Sequence, residues 1–288
     1  MENGTVAELS DAPSEVWEFS SQLVSADDRG SRARVDDPSR RQFRGVATQA
    51  ELDAALQASD VRAIVLTRNG LTVSTPPVSG ARVIAMANVH VAAGVVHVRD
   101  EFHVTASGSA RVHASGHAHV TLYDRASVIA QGNAQVAASG HAQVVAAQKV
   151  SVAAYGSAQV YTSDRVQVTA CEQTQVHALD STSVYVHGSA TVIADDTAQV
   201  TARGRTHVVA RGHARVRAHG AARVSAHHES RVVATGSTTV VGTRRYIRIW
   251  ATRGVTVEAP GGTTVGIPAD RVDADWNDLN DLWENQVR

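Results

Sequence analysis

"RGHARVRAHGAARVSA", residues 211–226, is one eight-residue phrase written twice, and its reading decides the fold. In each copy Ala and Val alternate with polar residues, so an extended segment has one apolar and one polar face. Working outward, Val recurs at every eighth position from Val96 to Val240, nineteen times without a break. An Ala stands two residues after it in most copies, as at Ala114, Ala138, Ala170, Ala218 and Ala234. Another small residue stands two before it, as at Ala110, Ala134, Ala158, Ala190 and Ala222, and Gly is usual four before. Eight is a multiple of two, so every copy turns the same face inward. Links of about three residues are too short for helical crossovers, and no Asn-Gly hairpin signals alternate between copies. The pattern therefore predicts an all-β fold, a single-chain parallel β-solenoid.

The corner between strands bears on how many octads close one coil. Sorted by threes, one class reads Asp100, Asp124, Gln148, Glu172, Asp196 and Gly220, with five of six not Gly. The remaining twelve corners hold three exceptions, Asp164, Asp180 and His228, and sorting by twos splits six of nine against two of nine. Thr182, Thr206 and Ser230 replace the small Ala at the same 24-residue interval. These columns predict three strands per 24-residue coil. The small volume of Ala and Val pulls instead toward a flat coil of two octads. Nothing in the residues sets the hand, and parallel crossovers in general favour the right-handed one.

The flanks differ from the repeat. Residues 1–45 read as an N-terminal arm, partly flexible, in which "SEVWEFSSQLV" carries Trp17 and Phe19 as candidate contacts. Residues 46–61 contain "TQAELDAALQAS", where Thr48 and Glu51 make a capping-box pattern for a helix. The solenoid is expected over 62–267, a length on the order of 40 Å at ~4.8 Å per 24-residue coil. Residues 268–288 read as an acidic amphipathic helix bearing Val272, Trp276, Leu279 and Trp283 on one side. Such a helix serves as an end lid or as a docking element for another protein.

Composition excludes several classes. Net charge is −1 and aromatics are 4% of the chain, so neither a polyanion-binding total charge nor a thick aromatic core is implied. One cysteine, Cys171, leaves no internal disulfide and suits a reducing compartment. No apolar run approaches the roughly 20 residues of a membrane helix, and no secretory signal is visible. A cytoplasmic protein with no membrane partner is the expectation.

Candidate chemistry is sparse. The acids Asp100, Asp124, Glu172 and Asp196 could form a column for polysaccharide cleavage or calcium. Asp at a tight corner has a simpler use, bonding its own turn. His117 and His141, with His119 nearby, are the only histidines that a 24-residue coil would bring together, and nothing completes a metal site. Arg203, Arg211, Arg215, Arg217, Arg223 and Arg231 make the C-terminal coils basic, a candidate phosphate-binding surface without aromatics for base stacking. At 24-residue spacing Ala137, Tyr161, Tyr185, Val209 and Val233 form an outward apolar column, a candidate protein interface. No P-loop, dinucleotide fingerprint, nucleophile motif or CxxC pair occurs, so no cofactor is expected.

The "GSARVHASGHAHV" pattern resembles the parallel β-helix and β-solenoid repeat proteins, in particular octapeptide-repeat chains of the "GSAxVxA" type from actinobacteria and phages. It is distantly similar to bactofilin-like scaffolds, which assemble end to end. The resemblance implies the fold and no activity. The expected function is a non-enzymatic structural scaffold or interaction module that binds itself or another protein. A polysaccharide-binding or polysaccharide-cleaving β-helix is the alternative, and nucleic-acid binding through the Arg-rich coils is third.

Overall fold

The computed structural model describes residues 43–242, 246–259 and 263–287. Trp17 and Phe19 lie outside them, as does the side chain of Trp283. The alternating octads form short parallel strands in two sheets, one of fourteen strands (sheet A) and one of thirteen (sheet B). Successive octads go to opposite sheets. Ser127–Ala130 pairs with Arg111–Ala114 on one side and Gln143–Ala146 on the other. Gln135–Ala138 pairs with His119–Leu122 and Ser151–Ala154. Every partner in these pairs stands two octads away along the chain.

A coil therefore holds two octads, not the three that the corner and Thr columns predicted. The physical reason is volume. A three-sided tube of Ala and Val would leave its axis empty, whereas two sheets facing each other close on those short side chains. The buried slab is the Val and Ala of both sheets, from Val83 through Val240. Thr182 and Ser230 belong to sheet B coils and Thr206 to a sheet A coil, so their 24-residue spacing crosses the slab at each step. Fourteen levels at ~4.8 Å give a solenoid about 60 Å long rather than 40 Å.

The corners explain the Gly and Asp pattern. The fourth residue after each repeat Val from Val96 to Val232 has a left-handed backbone, with φ of 76° at Gly132 and 62° at Asp164. A Cβ added to Gly132 would lie 3.0 Å from the Gly116 backbone in the coil before, so glycine eases both strain and crowding there. At several corners without Gly, the side chain takes up a bond. Asp164 Oδ2 accepts from the Gln148 amide at 3.0 Å, Asp180 Oδ2 from the Asp164 amide at 3.1 Å, and Glu172 Oε2 from the Gly156 amide at 2.9 Å. Each acid bonds the corner one coil earlier, not its own turn.

The ends are finished differently. Strand β1 (Phe43–Val46) pairs with β2 (Ala63–Leu66), so the solenoid begins inside the segment read as the arm. Between them the helix Gln49–Gln57 takes the place of a sheet B strand and buries Leu52, Ala55 and Leu56. Its capping box forms as expected, with the Glu51 carboxylate accepting from the Ala47 and Thr48 amides and held below the usual carboxylate range by those bonds. The Gln49 amide then pairs with Thr72 of β3 (Thr72–Val73), the first strand of sheet B, donating to Thr72 O at 3.0 Å and accepting from Thr72 N at 2.9 Å. A side-chain amide thus blunts an edge strand. At the other end a 3-10 turn, Ala269–Arg271, leads into the helix Trp276–Val287.

Candidate interaction faces

The two-octad coil sorts outward residues into two faces. On sheet B the position after each core Val reads Thr105, Thr121, Ala137, Ala153, Thr169, Tyr185 and Thr201 in successive strands. It then becomes Arg217, Val233, Trp250 and Val265. Those last four strands carry the C-terminal segment, which runs along the outside of sheet B and does not lie over the end as a lid. Val233 and Trp250 are both 0% exposed although they point out of the slab, and they pack with Val265, Ile267 and Leu279.

The docking is held by arginines and tryptophans. Arg217 donates through Nη1 to Val272 O at 2.5 Å and through Nη2 to Ala274 O at 2.6 Å, while its guanidinium lies 4.8 Å from the centroid of the Trp276 ring. Arg215 approaches the same ring at 5.8 Å. Trp250 Nε1 donates to Leu279 O at 3.0 Å and meets Trp276 edge to face at 6.0 Å. Arg248 donates to Asn280 Oδ1 at 3.2 Å. Of the residues expected on one side of the helix, Trp276 is thus brought to Arg215 and Arg217 of the basic surface, and Leu279 to Trp250. Trp250 was not singled out in the sequence. Its place at the end of "YIRIW" in the broken repeat gave only a strand position, and its partner Leu279 is far along the chain, in another element.

Sheet A differs. Read from the buried Val65 to Glu258, its equivalent outward row contains between those ends Ile84, Ile129, Val145, Tyr161, Ile193, Val209 and Val241, interrupted by His97, His113, His177 and Ser225. From Ile84 to Val241 none is fully buried, and Tyr161 is 48% exposed. The predicted 24-residue column is therefore divided. Tyr161 and Val209 lie in this row on sheet A, while Ala137, Tyr185 and Val233 lie on sheet B. Reading every sixteenth residue recovers the row.

Polar residues of the face pair among themselves. His97 and His113 stack at 4.8 Å, and burial lowers both ring pKa values, with His97 pulled down to about 4. His113 and Arg82 add to the effect at His97. Tyr161 meets His177 edge on at 6.2 Å, and His177 Nε2 lies 3.0 Å from Asp195 Oδ2.

The remaining candidates are dispersed. Asp100 and Asp196 are on the corner edge that follows sheet A, and Asp124 and Glu172 on the edge that follows sheet B, so the acid column does not exist as one row. His117 and His141 are likewise on opposite edges, and His117 contacts Asn133 at 3.4 Å. Among the described residues no group of three or more His, Cys, Asp or Glu side chains is arranged to hold a metal ion. Of the basic surface, Arg223 lies on sheet A and Arg215, Arg217 and Arg231 on sheet B. Arg211 reaches Asp195 at 4.0 Å, and Arg203 lies over Tyr185 at 5.6 Å. One pairing escaped the sequence reading: Cys171 Sγ is 2.8 Å from His187 Nε2, one coil on. Burial and Glu172 push the thiol pKa up, which keeps it protonated and a poor nucleophile. Among the described residues no helix is long and apolar enough to cross a membrane.

Comparisons with family models, curated proteins and solved structures found no match.

Proposed function

We propose that this chain is a non-enzymatic scaffold, a stiff β-solenoid whose two flat faces hold protein segments. The observation that carries the reading is the docked C-terminal helix. Sheet B holds it through an indole bonded to a backbone carbonyl, a forked arginine on two more carbonyls, and a small apolar cluster. Aromatic and arginine anchors around an apolar centre are the usual make-up of protein-binding hot spots. The carboxylates of Asp164, Glu172 and Asp180, by contrast, are engaged with backbone amides of the neighbouring coil, which favours a structural use over chemistry at those corners. A solenoid of the octapeptide-repeat type, acting in the cytoplasm on itself or on another protein, fits this reading.

The test uses the full chain carrying Trp276→Ala and Leu279→Ala, which frees the face. A synthetic peptide of residues 268–288 should bind this variant saturably and cover Trp250, read by fluorescence, and should not bind the wild type. A freed face that takes up no peptide would refute the reading.

A further inference from the structure

We infer that sheet A is the face through which two copies of this chain associate side by side. The inference deepens the scaffold reading and rests on it. Sheet B supplies an internal control: its outward row is mostly Thr and Ala where solvent covers it, and turns to Val233, Trp250 and Val265 only under the C-terminal helix. In this chain, then, a run of outward apolar residues accompanies a covering partner. The sheet A row is mostly apolar from Ile84 to Val241, and no described segment is packed on it as the helix is packed on sheet B.

The occupant follows from shape, charge and area. A straight row repeating every ~4.8 Å on a flat parallel sheet is met best by a surface of equal flatness and length, and a second copy has one. The column beside the row is uncharged through the middle of the face, at Ser127, Gln143, Gln159, Gln175 and Thr191, so facing copies bring no like charges together there. Ten spacings by one four-residue strand give a face of about 50 by 13 Å, or about 1,300 Å² between two copies, within the range of stable specific dimers.

Light scattering on the full chain tests this. The wild type should have twice the 30.4 kDa chain mass. Ile129→Arg with Ile193→Arg should weaken association by at least about a hundredfold, with circular dichroism unchanged because both side chains point out of the slab. Thr121→Arg with Thr169→Arg, on sheet B, should leave the dimer intact. A wild type that is monomeric at every concentration, or a dimer that survives the sheet A substitutions, overturns the proposal. A monomer that, with its helix released, still captures the 268–288 peptide would remove sheet A association alone and leave the scaffold reading standing.

Discussion

A corner residue in this solenoid adopts a left-handed backbone, and where it carries an acceptor it can also bond the amide one coil before. Asp164 does both, so Asp164→Ala should lower stability by about 0.5–1.5 kcal/mol through the lost bond to the Gln148 amide. Asp164→Asn should be close to neutral, since Asn keeps the acceptor and tolerates the conformation; denaturant midpoints separate the two. Buried hydroxyls behave oppositely. Thr206 is 1% exposed and its Oγ1 has no hydrogen-bond partner among the described residues. Thr206→Val keeps the shape, and should raise stability by about 1 kcal/mol in thermal melts. His97 is held neutral by burial with a pKa of about 4, against an unfolded value near 6.5. The unfolded chain takes up the proton first on acidification. Stability from His97 is therefore full above about pH 6.5 and declines as pH falls toward 4. In His97→Leu the slope of melting temperature over that window should flatten, and an unchanged slope would contradict the assignment.

Among the elements, the C-terminal helix shows how far local sequence reaches. Its existence was legible from the spacing of Trp276 and Leu279, because an amphipathic stripe is a local property. Its site was not, because Trp250 and Arg217 become neighbours only once two sheets have formed. Arg217→Ala removes two bonds to backbone carbonyls and the contact with the Trp276 ring. Hydrogen exchange over residues 276–287 should then speed up at least about tenfold while the coils stay protected. Arg217→Lys should recover little, since an ammonium cannot fork to two carbonyls or stack flat on the ring. The N-terminal helix was equally legible through Thr48 and Glu51, but β1 ahead of it was not. "FRGV" carries a charge and a glycine, and reads as a strand only when Ala63–Leu66 lies beside it.

The parallel solenoid itself was legible throughout, because strict alternation at a period of eight leaves no other simple arrangement of the chain. The number of octads per coil was not. Gly, Asp and Thr columns recurring every third octad are small samples, whereas the filling of the slab by Ala and Val acts at every level. That error carried into the candidate surfaces and mixed two faces into one column. With two octads per coil, one face holds the chain's own helix and the other carries an apolar row on which no described segment is packed, so the surface account depends on that register. A thiol cross-link measures it most directly. In a Cys171→Ser background, Gln143→Cys with Gln159→Cys places two thiols on adjacent strands of sheet A, and a short bifunctional reagent should join them quickly. Gln143→Cys with Gln167→Cys, three octads apart, puts one thiol on each face and should not cross-link. Rapid linking of the second pair with none of the first would contradict the two-sheet coil.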